Sequence, residues 1–521
     1  MAEITKTDDE NRLRSPWIPI LIAAAIAVFY FFGLGIPLVG PDEPRYTQVA
    51  REMFERGDWV TPTLGGFNWF EKPALLYWLE IASFHLFGVT EFAARFGSAL
   101  FGLGTVFSLW LLGRFGDVRA HAAGSRTSFA NWLALIAASS LGVIVFSRGA
   151  SFDIVLTFPI TAAMVCFYIF DSIDSDPESK SNGVPWLAGA YFFVGVSLLA
   201  KGLVGVVFPA AIAAFYYILS WRMPSKRAIF SILWGTPITL ATASLWYVPM
   251  YMQHGWSFID EFFVQHHFQR YTSNKYFHPQ PFYFFFWVLP LMTIPWIPFF
   301  FAAAWKLAKR TYSGISDGGS KVSPLLRFAA AWMLVPLVFF SFSGSKLPGY
   351  ILPAVPAALL ITSVYVWKLV NKSETWKFAM SALAAATFIV IAALLQFVVP
   401  NFAYQDSVKG LIAAADANGY TGAKILNLHT TSHNAEFYGA GRLISTDDGK
   451  QRKFLGVLEI VDYFNKSGDK SALVLVPHEY IHQLTESKLF DTVVLDESGE
   501  IAIVAVKPTP SAADGTPQPV H

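Results

Sequence analysis

Eleven apolar runs, most of them long enough to cross the roughly 30 Å hydrocarbon core of a bilayer, constrain this chain more than any other feature. They lie at Trp17–Leu38, Phe92–Phe115, Ser128–Phe146, Ile154–Phe170, Pro185–Leu199, Leu203–Ser220, Phe230–Met250, Phe282–Trp305, Phe328–Phe342, Tyr350–Leu369 and Trp376–Val399, the fifth and ninth being short. Lipid offers no hydrogen bonds to an open backbone, so runs of this kind are expected to be helices. Only 14% of the residues are charged, against about 25% in ordinary soluble domains. Aromatic residues make up 16%, which suits lipid-facing and interfacial surfaces. A net charge of +1 provides no basic field for nucleic acid. The single cysteine, Cys166, sits in an apolar run, so no intramolecular disulfide is available. The polar segment 1–16 precedes an apolar run too long for a signal-peptide core, and Trp17–Leu38 is expected to be a first span rather than a cleaved leader. Between the first two spans, Glu43–Arg56 reads as an amphipathic helix and Ala74–Phe87 as an apolar helix too short to span, lying in the interface.

Lysine and arginine set the expected orientation. With the N-terminus in the cytoplasm, inner segments hold Lys6, Arg12, Arg14, Arg114, Arg119, Arg126, Arg222, Lys226, Arg227, Lys306, Lys309, Arg310, Lys321, Arg327, Lys368, Lys372 and Lys377. Of the inner segments only the loop after the fourth span is poor, with Lys180 among several acids, and the short outer connections hold few, mainly Arg148, Lys201, Arg270, Lys275 and Lys346, in accord with the positive-inside rule. After Val399 the pattern changes. Strand-like runs (AKILNL, SALVLVP, DTVVLD, EIAIVAV) alternate with helical ones (SVKGLIAAADANG, VLEIVDYFNK, EYIHQLTES) over 401–507. A small α/β domain on the outer side is expected there, followed by a Pro- and Ala-rich tail, 508–521, expected to be disordered.

Six polar motifs share the outer side: GPDEPRY from Gly40, FEKP from Phe70, SRGASFD from Ser147, AKG from Ala200, QHHFQRY from Gln265 and SGSKLPGY from Ser343. Transporters concentrate ionisable residues near the midplane; here they gather at one surface, as in an enzyme working at the headgroup boundary. Asp42 and Glu43 can accept a proton, orient a nucleophile or bind a cation, or can simply cap a helix; Asp153 carries the same two readings. Lys72, Lys201, Arg270 and Lys346 stand in separate outer loops and could converge on one phosphate, which Arg grips bidentately and Lys as a point charge. The bland alternative is snorkelling to water. Glu71 and His267 could share a divalent cation, though two ligands do not make a site. Tyr350 either donates to a phosphate or is an interfacial aromatic.

In this order the motifs resemble the aminoarabinose transferases that modify lipid A, within the GT-C group of lipid-linked-sugar glycosyltransferases, and the related protein O-mannosyltransferases. PDEPRYTQVAREMFERGDWVTPTLGGFNWFEKPALLYW is similar to that family's first outer loop, and RFGSALFG, AKGL, HHFQRY and GSKLPGYILP to its later landmarks; the resemblance covers about residues 17–370. It implies Asp42 as first-loop catalytic acid, Asp153 as a second acid, and Lys72, Arg270 and Tyr350 as holders of the carrier phosphate, with Arg45 in the same loop motif. It implies an inverting enzyme using a polyprenyl-phosphate sugar, which agrees with the lack of a Rossmann or P-loop fingerprint.

The expected fold is therefore a mainly α, polytopic GT-C membrane protein of about eleven transmembrane helices (17–400, first outer loop 39–91) with the small extracytoplasmic α/β domain. The expected partners are a polyprenyl-phosphate sugar donor, a lipid, glycan or protein acceptor, and membrane lipid. The expected location is a bacterial inner membrane, with Asp42, Asp153, Lys72 and Arg270 lining one cavity at the outer headgroup level. Two rivals remain: a flippase using the same cations without chemistry, and a protein O-mannosyltransferase.

Overall fold

The computed structural model describes residues 17–115, 128–262, 279–316, 322–446 and 449–509. Segment 1–16, nearly all of the 508–521 tail, Arg270 and His267 lie outside the described residues. The chain divides into two compact units. One comprises 1–34, 70–79 and 95–392; the other comprises 35–69, 80–94 and 393–521.

The first unit is a helical bundle, and the fold is that of a polytopic membrane protein. Among the described residues, seven helices are long and apolar enough to cross a membrane, and the helix pair Phe284–Met292 and Ile297–Ser313, bent by 119° at its break, forms either a broken span or a re-entrant loop. The shorter apolar helices Trp17–Phe31, Phe129–Ala138 and Val204–Leu219 occupy the remaining three expected spans. The short fifth and ninth runs become 18-residue helices, Val184–Lys201 and Pro324–Ser341.

Three spans differ from the continuous helices expected of them. The first stops at Phe31, because the Gly33 backbone turns into a left-handed conformation that glycine adopts freely (φ 73°). The third breaks at Ser139–Ser140 into Phe129–Ala138 and Leu141–Phe146. The eighth breaks before Pro295, a residue without an N–H that also drives its predecessor out of helical geometry. The two breaks meet: Leu141 N–H donates to the Ile294 carbonyl at 2.8 Å, and the Trp296 indole donates to Ser139 Oγ at 3.1 Å. Each thus supplies a partner for polar groups that would otherwise be stranded in an apolar interior.

Burial ranks the helices. Phe152–Asp174 has 89% of its most apolar window buried, whereas Lys226–Phe262 and Glu374–Phe397 have 22% and 17%. The helix that begins with the SFD motif is therefore central, and the other two present most of their surface to lipid. Close packing in the bundle depends on small residues: a Cβ at Gly102 would overlap Ser147 and crowd the Tyr30 ring.

The second unit is built on a five-stranded sheet of order β4-β3-β5-β7-β6. Its strands are β3 Lys424–Leu428, β4 Lys453–Phe454, β5 Ala472–Pro477, β6 Phe490–Ser498 and β7 Ile501–Pro508; a hairpin of β1 Thr63–Leu64 and β2 Phe67–Asn68 lies outside the sheet. β3 runs parallel to β4 and β5, while β7 is antiparallel to β5 and β6. Leu473 and Leu475 of β5 face a core with Leu411, Ile412 and Ala435. Val474 and Val476 face another with Ile460, Phe464 and Leu484. Helices thus cover both faces, which is why the inner strands read as continuous apolar runs.

Most of the loop between the first two expected spans, 35–69 and 80–94, belongs to this unit, while 70–79 belongs to the first. Its helix, Asp42–Arg56, ends at Gly57 in the left-handed conformation. It packs on the helix His433–Tyr438, where Arg51 donates to the Phe437 carbonyl at 3.2 Å. Tyr438 receives the Leu38 N–H at 2.8 Å and donates to Glu91 at 3.1 Å, and Lys409 pairs with Glu91 at 2.5 Å.

Candidate functional site

Three motifs far apart in sequence meet in the first unit. Asp153 lies in the first turn of the Phe152–Asp174 helix, but Ser151 caps that helix, its Oγ accepting from the Asp153 N–H at 3.2 Å. The Asp153 carboxylate instead receives the Lys201 ammonium at 2.5 Å. Lys201 is the last residue of Val184–Lys201, where Gly202 (φ 70°) turns the chain, and its Nζ lies 4.9 Å from the centre of the Tyr350 ring. Tyr350 stands in a 3-10 turn, Pro348–Ala354. The neighbouring Gly349 abuts Asp153 so closely that a Cβ would overlap the carboxylate. One lysine is therefore held by a carboxylate on one side and an aromatic face on another. An ammonium has three N–H donors, so it retains capacity for an anion. That arrangement can hold a phosphate at a fixed point beside a carboxylate.

The remaining candidates in this unit are engaged locally. Lys72 and Glu71, both largely buried, form an ion pair at 2.8 Å. Phe70, beside them, packs on His254 and Phe258 with ring centres 4.9 and 5.8 Å away. Lys346 donates to the carbonyls of Ser343 (2.7 Å) and Gln280 (3.0 Å), and burial of its ammonium lowers its pKa from the ordinary lysine value. Its two observed bonds tie one loop to another.

In the second unit, Asp42 opens the first-loop helix with its side chain 53% exposed, 3.4 Å from the Arg45 guanidinium. No side chain caps that helix. Glu43 instead receives the Val39 N–H of the preceding turn at 3.0 Å, a local structural bond. Arg45 also lies over the Trp69 ring at 6.0 Å and against His433. Among the described residues, no group of three or more His, Cys, Asp or Glu is placed to hold a metal ion.

Sequence reasoning missed four contributors. Gly349 was legible only as part of a loop motif. Arg148, within SRGASFD, donates to the carbonyls of Phe29 (2.6 Å) and Phe32, while Arg95 donates to that of Leu34 at 2.8 Å; together they hold the carbonyl end of the first span. His433 had no signal, because its partner lies 388 residues away.

The bundle has the polytopic GT-C fold seen in solved structures. It matches ArnT of Cupriavidus metallidurans bound to undecaprenyl phosphate with a TM-score of 0.73 at 21% identity, over 96% of this chain and 99% of that one. The archaeal oligosaccharyltransferase AglB of Archaeoglobus fulgidus matches with a TM-score of 0.52 at 12% identity, over 89% and 69% of the two chains. In sequence the chain is similar to the undecaprenyl phosphate-alpha-4-amino-4-deoxy-L-arabinose arabinosyl transferases. The Yersinia enterocolitica protein is 32% identical over 68% of this chain and 60% of its own length; that of Shewanella sediminis is 30% identical over 72% and 64%. The matches thus take in less than two thirds of these relatives' length. Residues 37–261 match the dolichyl-phosphate-mannose-protein mannosyltransferase family.

Proposed function

We propose that the protein is an inverting glycosyltransferase that moves a sugar from a polyprenyl-phosphate carrier to a lipid A, glycan or protein acceptor at the outer face of a bacterial inner membrane. The observation that carries this reading is the meeting of Asp153, Lys201 and Tyr350 at the ends of apolar helices within a GT-C fold. The acceptor oxygen attacks the anomeric carbon, and the bond to the carrier phosphate breaks. Cations placed where that phosphate gathers negative charge stabilise the transition state more than the ground state. Lys201, Lys72 and Arg270 take that part, with Tyr350 as a further donor. Asp42 deprotonates or orients a hydroxyl acceptor; a phosphate acceptor needs orientation only. The bias of Lys and Arg puts the N-terminus in the cytoplasm, and the reaction and the C-terminal domain in the periplasm.

Purified protein in liposomes, given polyprenyl-phosphate sugar and lipid A, tests the reading. Asp42→Asn and Arg270→Ala are expected to slow transfer by about 10²-fold, the scale of losing one transition-state donor. Wild-type rates in both properly inserted variants would sink it, as would movement of the lipid-linked sugar across the bilayer with its bond intact. The mannosyltransferase match over 37–261 supports a second reading with a protein acceptor. Mass spectrometry of lipid A and periplasmic proteins from a deletion strain separates the two.

A further inference from the structure

The C-terminal domain reaches the first-loop acid through one side chain. Arg45 contacts Asp42 at 3.4 Å, and its Nη2 lies 3.2 and 3.3 Å from the two ring nitrogens of His433. His433 opens the short helix His433–Tyr438, capped by Ser432, and that helix packs against the first-loop helix. We propose that His433 is a positioning residue: it holds the Arg45 guanidinium, and through it the Asp42 carboxylate, in the geometry used for transfer. The proposal rests on the functional reading above for the role of Asp42.

The physical argument turns on charge. A neutral imidazole has one nitrogen lone pair that accepts from a guanidinium. A protonated imidazole has none and adds a second cation against the first. Because Arg45 lies almost equally far from both nitrogens, this conclusion holds for either tautomer. The charged groups facing His433 are Asp42 and Arg45 on the first-loop helix and Glu436 on its own helix at 4.0 Å, and Glu52 of the first-loop helix acts in turn on Glu436. Glu436 is occupied, its Oε1 receiving the Gln451 amide at 2.7 Å, and burial raises its pKa, which weakens it as a counter-charge. Burial, and then Arg45, lower the His433 pKa below the ordinary histidine value. The side chain is therefore neutral and accepting at neutral pH and releases Arg45 on acidification. At that point Asp42 loses a fixed partner and its helix loses a tie to the sheet domain.

Four proteins test this: wild type, His433→Ala, His433→Gln and His433→Lys. With His433→Ala, kcat is expected to fall roughly tenfold, within the 10²-fold scale of a small misplacement, at unchanged KM for the lipid donor. His433→Gln, an acceptor that does not titrate, should recover most of that loss and remove the acid limb of the wild-type profile, which lies below the ordinary histidine value of 6.5 because burial and Arg45 disfavour the charged ring. His433→Lys should be impaired throughout. A fully active His433→Lys, or an unchanged acid limb in His433→Gln, overturns the proposal. Hydrogen–deuterium exchange provides a readout independent of transfer. Corrected for intrinsic rates, protection of 42–56 should fall on acidification in wild type and not in His433→Gln. Identical exchange in both overturns the latch even if the protein transfers sugar. If wild type transfers none, the functional reading fails separately, and the exchange result alone decides the latch.

Discussion

Asp153 and Lys201 form an ion pair at 2.5 Å, with side chains only 19% and 21% exposed, and Tyr350 faces the same ammonium from a third segment. A pair so poorly hydrated is held tightly, because each partner depends on the other for solvation. Lys201→Ala should therefore slow transfer by about 10²-fold and raise the KM for the polyprenyl-phosphate donor. Asp153→Asn should lower kcat with a smaller change in that KM, since it frees the lysine without removing it. Steady-state kinetics in liposomes check both; wild-type constants in either variant would remove this pair from the site.

Gly349 provides a steric probe of the same place. A methyl group there meets the Asp153 carboxylate, and overpacking of this kind costs about 1–3 kcal/mol. Gly349→Ala should insert normally yet lose most of its activity as the carboxylate is displaced. Gly35→Ala, where nothing lies within 4 Å of the added atom, is the control. Equal transfer rates in the two variants would contradict the close approach.

Arg148 anchors the end of the first span through two carbonyls and packs on the Phe29 ring, 4.8 Å away. Truncating it strands acceptors at a cost of about 1–3 kcal/mol each. Arg148→Ala is expected to lower the thermal unfolding midpoint in detergent, and Arg148→Lys, which reaches with one ammonium instead of a fork, to lower it less. An unchanged midpoint for Arg148→Ala would show that the span end holds without this contact.

Glu80 is fully buried in the second unit, where Thr47 donates to it at 3.3 Å. Burial raises its pKa well above the usual carboxylate range, outweighing the lowering by the Thr47 hydroxyl, and the nearby Glu43 adds a smaller rise. The folded state therefore keeps a proton that the unfolded state releases near its ordinary value of 4.5. The sign follows: between those two values the unfolded chain binds fewer protons, so stability falls as pH rises. Glu80→Gln, which mimics the protonated form, should remove that slope and melt at a higher temperature than wild type at neutral pH. Parallel curves of melting temperature against pH for the two proteins would show that Glu80 is ionised in the fold.

The sequence alone determined that the chain is a polytopic membrane protein and marked the apolar runs, of which seven become, among the described residues, helices long enough to cross. The solvent imposes this: each segment must close its own hydrogen bonds over a set thickness, and charge cannot stay inside at low cost. It also marked the motifs that hold Asp153, Lys201 and Tyr350, because polar residues at the ends of apolar runs stand out. Alternating apolar runs announced β5 and β7, since strands buried on both faces must be apolar throughout. Only the tertiary structure decided which motifs meet. Asp153 and Lys201 are 48 residues apart, and Arg45 and His433 are 388 apart; no local period encodes such distances. It decided too that Ser151, not Asp153, caps its helix, that Glu43 binds a backbone N–H beside an exposed Asp42, and that the third and eighth spans break where they face each other. Periodicity specifies that a helix face will be covered, whereas its partner follows from how the whole chain packs, and a broken helix is tolerated only where that packing returns the hydrogen bonds it gave up.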